Sequence, residues 1–319
     1  MTVELGIQIS GQYPDGMPDV GYYGDAARSA EALGYDSVWV GEHLSFHNPT
    51  LEIFTALSYF AACTRRVRLG AGVLLLPLRH PSLVAKQANS LQALSGGRLV
   101  LGVGVGGEGA KDFEASGVDI TERGRRTDDA LAALEALWSG PGARHHGPYF
   151  DFDDVTIEPL PTPATRTPVW VGGRSSAALR RTARFGQGWL GGFCSPERYA
   201  RSAAEIADHC AAVGRDPATV VLGHMVSSCV ADSVTEGRRI ARDHLSRRYG
   251  QDFPEHAVER YCLAGDVGSI RERAQEYLDA GVEHLVFQVL VPATGLVDQA
   301  RGLMEAVGPL RSAPPTTGP

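Results

Sequence analysis

Short uninterrupted apolar runs recur along this chain, each reached from an amphipathic stretch through a glycine. Residues 3–9 alternate enough to form a strand, and glycines and prolines in 11–18 end it. Residues 22–33 have helical spacing, with Ala26, Ala30 and Leu33 on one face; the pattern stops at Gly34, and 37–40 follows as a strand buried on both faces. The unit then repeats. A helix over 51–63 leads to a strand at 67–71, and one over 81–94 ends at Gly96-Gly97 before 99–101. A helix over 177–185 ends at Gly186 before Trp189-Leu190, and one over 270–280 ends at Gly281 before 285–287. A left-handed glycine ends a helix and returns the chain to a parallel strand, which is the role expected of each of these glycines.

Further apolar runs lie at Val169-Trp170-Val171 and Val220-Val221-Leu222, and a helix capped at Ser195-Pro196-Glu197 closes at Gly214. The strands number eight, near residues 3, 37, 67, 99, 169, 189, 220 and 285. Eight strands alternating with helices predict an α/β fold, a (β/α)8 TIM barrel, with an open doubly wound sheet as the alternative. One domain spans 1–311, and the Pro/Thr-rich tail 312–319 is expected to be loosely ordered. Three stretches exceed simple connections: 104–120 after strand 4, 140–167 between helix 4 and strand 5, and 231–265 after strand 7. The second carries a hairpin-like insert and the third an extra helix, and the first and third are the expected pocket walls, because barrel sites sit on the loops after strands.

Composition narrows the function. Hydrophobic residues at 43% and charged residues at 21% exclude a disordered or fibrous chain. A net charge of -7 with no long basic run excludes a nucleic-acid partner. The first residues, MTVELGIQIS, lack a signal-peptide pattern, and no apolar stretch is long enough to span a bilayer, so a soluble cytoplasmic protein with no membrane partner is expected. The five cysteines form no C-x-x-C pair, which leaves neither a disulfide framework nor a zinc knuckle.

The segment 98–109, RLVLGVGVGGEG, reads as a buried strand that opens onto a ligand and ends at the carboxylate Glu108. Gly102, Gly104 and Gly107 satisfy the dinucleotide pattern G-x-G-x-x-G, but no helix-like pattern starts until about Thr121, so the Rossmann context is missing. After the fifth strand, Gly172, Gly173, Arg174, Ser175 and Ser176 fit either a phosphate cradle at a helix N-terminus or a plain glycine turn with a serine cap. His43, at the end of the second strand, is the best titratable candidate, against a structural hydrogen-bonded histidine; Glu42 points the opposite way. His43 and His47 are four apart, yet no third ligand has suitable spacing and H-E-x-x-H is absent, so no metal is expected. His145 and His146 read as a solvated loop, and no G-x-S-x-G elbow supports hydrolase chemistry.

Several segments, in order, resemble one family: the bacterial luciferase-like flavin or deazaflavin oxidoreductases, and within it the branch using coenzyme F420. They are GYDSVWVGEH at 34–43, RLGAGVLLLPLRHP at 68–81, Lys86-Gln87, LSGGRL at 94–99, the glycines of 102–107, Glu122-Arg123-Gly124, PVWVGG at 168–173 and Ala280-Gly281-Val282. The resemblance implies a cofactor at the C-terminal mouth of the barrel, its phosphate at Gly172, Gly173, Arg174, Ser175 and Ser176. It puts the ring near His43, Gly72, Val73, Gly104, Val105, Gly106 and Gly107, with a non-proline cis peptide between Gly72 and Val73 behind it. It also implies a homodimer. His43 and Glu108 are the implied catalytic residues. In sugar-phosphate and alcohol-oxidising relatives the site has an Asp-His pair, a nearby tryptophan and a glutamate directly after the fourth-strand glycines. Here the pair is Glu42-His43, the tryptophan is missing, Glu108 sits one residue late, and no lysine cluster is evident. Three functions follow: hydride transfer between F420 and a small organic substrate; an FMN-dependent monooxygenase using O2 and reduced flavin from a partner reductase; or a cofactor-free binding or structural relative. The coincidence of His43 with two glycine-rich strand ends argues against the third.

Overall fold

The computed structural model describes residues 3–9, 13, 16–162 and 166–312. Eight parallel strands close into a barrel: β1 (Glu4–Gln8), β2 (Ser37–Val40), β3 (Arg68–Ala71), β4 (Leu99–Gly104), β5 (Val169–Gly172), β6 (Gly188–Gly192), β7 (Val221–Val230) and β8 (His284–Val289). Each falls on a predicted strand. β8 pairs with β1, and β7 pairs with both β6 and β8, which completes the ring. The helices α1 (Val20–Ala32), α2 (Ile53–Cys63), α3 (Pro81–Ser95), α5 (Arg123–Leu137), α6 (Ser176–Phe185), α7 (Pro196–Ala212), α10 (Val267–Asp279) and α11 (Leu296–Val307) cover its outside. β2, β4 and β8 are buried at every position because one face fills the barrel and the other meets this helical layer.

Two indoles plug the barrel interior. The Trp39 and Trp170 rings lie 5.4 Å apart, and His284 stands edge-on to both at 5.8 and 5.3 Å. Small neighbours make room for them: a Cβ at Gly70 would sit 2.1 Å from Trp39, and one at Gly223 2.5 Å from Trp170. Trp39 donates to Ser37 Oγ at 2.7 Å, Ser37 Oγ meets His284 Nε2 at 2.8 Å, and His284 Nδ1 lies 3.0 Å from Glu4, which also pairs with Arg68. This polar floor closes the N-terminal end and leaves the C-terminal end for a ligand.

The insertions differ in detail from expectation. Residues 105–122 contain a short helix, α4 (Ala110–Ser116), entered from Gly109 and ended by left-handed Gly117, where the sequence pattern showed none. The hairpin pairs Ala143–His146 with Asp151–Val155, so His145 and His146 lie on a strand and not in a solvated loop; His145 is part-buried against Asp129 at 2.8 Å. The third insertion carries two helices, α8 (Val234–Tyr249) and α9 (Glu255–Tyr261), and a strand, Cys262–Gly265, that pairs with the outer half of β7. Gly34, Gly96 and Gly281 adopt positive φ of 88°, 69° and 97°, as their stop role requires, but Gly186 does not. It is extended at φ -83°, and a Cβ there would meet the Gly188 carbonyl oxygen at 2.9 Å, so close approach selects glycine. The expected loose tail lies, from residue 313 on, outside the described residues. Among the described residues no helix is long and apolar enough to cross a membrane.

Two buried histidines are held neutral. Burial pushes the His224 imidazole down to about 3, where it stacks on Tyr277 at 4.6 Å, and burial also lowers His284. The unfolded chain binds these protons near the ordinary 6.5, so stability falls as pH drops below that value, by up to about 1.4 kcal/mol per pH unit for each histidine. Glu4, held down to about 2 by His284 and Arg68, adds a further loss below 4.5. Urea midpoints at pH 8, 7, 6 and 5 should be flat above 7 and fall below 6.5, with a shallower fall in His224→Gln; an even midpoint down to pH 5 contradicts this.

Candidate active site

β2 ends in two side chains that serve different ends. The Glu42 carboxylate turns into the wall, accepting from the Leu75 amide at 3.1 Å and from Arg79 at 2.6 Å. Burial pushes its carboxyl up, against the pull of Arg79 and the Leu75 amide. His43 faces the mouth, and its Nδ1 lies 2.9 Å from Oδ2 of Asp112 on α4. Asp112 is buried, and its other oxygen accepts from the Leu44 and Ser45 amides, both at 2.7 Å. Asp112 accepts from all three of these groups, so Nδ1 carries the donated hydrogen and Nε2 is the ring nitrogen turned to the cavity. The Phe46 ring stacks on His43 at 4.0 Å and 15°, fixing the imidazole plane. Glu108 lies 3.9 Å from Nε2 with its side chain 61% exposed, beyond hydrogen-bond reach and open to water.

The cavity beside His43 is about 360 Å³ and is walled by the ends of the strands. His43, Gly72, Val73, Gly104, Val105, Gly106, Glu108, Gly172, Gly173 and Arg174 all line it; Ser175 lines an adjoining chamber, and Gly107 and Ser176 line neither. The Gly72–Val73 peptide is cis. The strand glycines around it serve the Val73 isopropyl group: a Cβ at Gly104 would sit 2.5 Å from Val73, one at Gly172 2.8 Å, and one at Gly102 2.0 Å from the Ala71 carbonyl oxygen. Gly104 and Gly172 therefore admit a protein side chain, where the sequence suggested room for a ligand. Gly192, at the end of β6, is the opposite case. It lines the cavity, yet a Cβ there would find only the Met225 carbonyl oxygen, at 3.9 Å. This open wall fits a flat ring.

Beyond the ring cavity, α6 and α7 present their N-termini side by side. Ser175 caps α6, accepting from the Ala178 amide at 3.3 Å, and Ser195 caps α7, accepting from the Arg198 amide at 3.4 Å. A chamber of about 550 Å³ at these caps is lined by Arg174, Arg198, Arg201 and Arg260 and by no carboxylate among the described residues. Arg198 donates to the Arg174 carbonyl at 3.0 Å, and Arg174 to that of Phe193. The Ser176 hydroxyl is taken by Glu205. Among the described residues no group of three His, Cys, Asp or Glu side chains could hold a metal; His47 instead points its Nε2 at the Arg248 carbonyl, 2.5 Å away.

Sequence reasoning missed Asp112 and Gly192. A stop glycine at 117, after AKDFEAS, was the available sign of α4, and no local pattern marks Gly192. The two kinds of glycine separate by experiment. Gly104→Ala should destabilise the protein by about 1–3 kcal/mol in urea unfolding through overpacking against Val73. Gly192→Val should unfold within about 0.5 kcal/mol of the parent yet weaken titrated F420 or FMN at least tenfold; unchanged titrations would remove Gly192 from the ring wall.

Comparison with known proteins agrees with this architecture. A family model described as luciferase-like monooxygenase matches residues 3–307. An uncharacterized Mycobacterium tuberculosis protein is 34% identical over 214 residues, covering 61% of this chain and 73% of its own. The F420-dependent glucose-6-phosphate dehydrogenase of Microbacterium testaceum is 28% identical over 288 residues, 81% of this chain and 84% of that one. Among solved structures, monooxygenase RslO1 from Streptomyces bottropensis superposes with a TM-score of 0.83 at 23% identity, covering 97% of this chain and all of that one, a likeness of fold. A match running from β1 to the end of α11, on a closed barrel with its cavity at the strand ends, places the chain in the luciferase-like monooxygenase family.

Proposed function

We propose that the protein is an oxidoreductase that moves a hydride between coenzyme F420 and an organic carbonyl or carbinol. The observation that carries this choice of cofactor is the arginine-lined chamber at the Ser175 and Ser195 caps. F420 and FMN both bear a phosphate on the chain that leaves the ring, but FMN ends there, whereas F420 continues into a string of glutamate carboxylates. Four guanidinium groups around two helix N-termini suit that longer anion, since arginine binds carboxylate and phosphate through charge-assisted hydrogen bonds. The relative named as an F420-dependent dehydrogenase supports the same reading.

The fit extends to the ring. A cavity of about 360 Å³ with an open wall at Gly192 accepts a planar heterocycle, and Val73 would stand behind it. When bound, the deazaflavin supplies a carbon that donates or accepts hydride. The chain supplies the proton chemistry. His43 Nε2, unprotonated while Nδ1 is held by Asp112, takes the proton of a carbinol as it is oxidised and returns it to the oxygen in the reverse direction. Glu108, solvent-exposed and 3.9 Å away, is too far to take that proton directly and instead sets a carboxylate beside the imidazolium that forms.

Fluorescence titration of the apoprotein should give micromolar F420 binding, weakened by salt, with FMN at least tenfold weaker. In the double variant Arg198→Gln/Arg260→Gln, F420 should lose about tenfold or more in affinity and FMN should change little. Micromolar FMN binding with none of F420 would overturn the choice and favour the FMN monooxygenase. His43→Ala should slow turnover by about 10²–10⁴ at unchanged F420 affinity; if affinity alone falls, His43 is a structural residue.

A further inference from the structure

We infer that a second, outer chamber above His43 receives the body of the substrate, and that this body is a planar aromatic or conjugated skeleton bearing one carbonyl or carbinol. The inference rests on the oxidoreductase reading and names its substrate class. The chamber is about 860 Å³ and opens from the ring cavity across Glu108, Arg174, Phe193 and Tyr249, which line both. That volume accepts a molecule the size of a drug or larger, far beyond a short alcohol.

Its walls are rings brought from three separate loops. Phe46 follows β2, Phe193 follows β6, and Tyr249, Phe253 and Tyr261 come from the insertion after β7. Phe193 holds a positive φ of 47°, a strained conformation for a bulky residue that persists where the surroundings demand it. That backbone turns its ring toward Tyr249 at 6.0 Å and Phe253 at 6.3 Å, while Tyr249 and Phe253 stack at 6.0 Å and 25°. Phe46, flat against His43, continues the aromatic wall up to the catalytic imidazole. Ring faces at these separations favour a flat π-system over a puckered aliphatic one by offset and edge-on contact.

The polar content points the same way. Lys111, the one lysine in the lining, is paired with Glu114, the Arg174 guanidinium is shared with the cap chamber, and Ser45, His47, Glu108 and Gln251 lie at the edges of the ring walls. The five rings form the apolar part of this lining, and a sugar phosphate would bury hydroxyls against their faces at a desolvation cost that a flat hydrocarbon skeleton does not meet. A skeleton with one oxygen needs one polar partner: in the ring cavity next to the junction, a carbinol O–H donates to His43 Nε2, and a carbonyl oxygen accepts from that nitrogen when it carries the transferred proton.

Calorimetric titration of the full-length apoprotein with 2-acetylnaphthalene, its saturated counterpart 2-acetyldecalin, and glucose 6-phosphate tests this directly. The naphthyl ketone should bind at least tenfold more tightly than the decalyl ketone, and glucose 6-phosphate should give no saturable heat. Phe253→Leu should weaken the naphthyl ketone at least fivefold and leave the decalyl ketone unchanged, while Phe253→Tyr retains the parent preference; the wild-type comparison stands even if either variant fails to fold. Equal affinity for the two ketones, or a Phe253→Leu protein with the parent preference, would overturn the inference. Titrating F420 into the same preparations separates the two claims. F420 binding without aryl preference sinks the substrate class alone, and aryl preference without F420 binding sinks the cofactor and leaves the chamber's assignment standing.

Discussion

One buried carboxylate organises the mouth of this barrel. Asp112 reaches from the loop after β4 to the loop after β2, accepts two backbone amides there with one oxygen, and holds His43 Nδ1 with the other. Hydrogen bonds to a buried charge contribute about 1.5–3 kcal/mol each, and leaving the amides unpaired would cost comparably. The same contact that closes two loops together therefore sets the tautomer of the only histidine lining the ring cavity among the described residues. Structure and chemistry share this interaction: loosening the loops would free the imidazole to rotate, and removing the imidazole would leave the loops tied.

Depth is set from below. The Trp39 and Trp170 indoles, capped by His284, fill the barrel where glycines on β3 and β7 make way, so a ligand can enter only from the strand ends. Above that plug the Val73 isopropyl group fills the space between Gly104 and Gly172 and narrows the opening again. What remains is a shallow slot bounded by β-strand backbone on one side and by loop side chains on the other. A flat ligand matches such a slot because both faces find contact without any side chain having to move.

The barrel was legible in the sequence because a strand buried on both faces writes an unbroken apolar run, and because Gly34, Gly96 and Gly281 stop helices by a left-handed conformation open mainly to glycine. Gly186 looked the same on the page but is extended, since a glycine kept for close approach and one kept for positive φ leave the same letter. The ambiguity recurs at the site. The run 102–107 showed that something bulky approaches the backbone there, and the bulk facing Gly104 is Val73, thirty-one positions earlier, a long-range fact that local pattern does not carry. Asp112 was hidden for a different reason: a seven-residue helix has too few turns to establish a period. His43 was visible because its position at a strand end carries the argument without any knowledge of its partner.

The division of labour between strands and insertions follows from their burial. Strand ends are fixed by pairing on both sides and by the packed core behind them, so they suit the ring of a cofactor whose shape does not vary. The aromatic chamber is built from Phe46, Phe193 and the insertion after β7, which packs on a separate small core of Cys229, Ala241, Leu245, Val258, Cys262 and Leu290 and is joined to the loop after β2 by His47 and Asn48 at the Arg248 carbonyl. Phe193, Tyr249, Phe253 and Tyr261 have no hydrogen bond to Asp112, whereas Phe46 stacks on His43 and ties this wall to the imidazole. The ring cavity and the aromatic chamber thus rest on different parts of the fold, and the junction between them is narrow: Glu108, Arg174, Phe193 and Tyr249, the residues that line both. Glu108 stands at that junction with its side chain open to water, so a group entering the outer chamber would strip water from its carboxylate while the Asp112 bond to the imidazole stays in place.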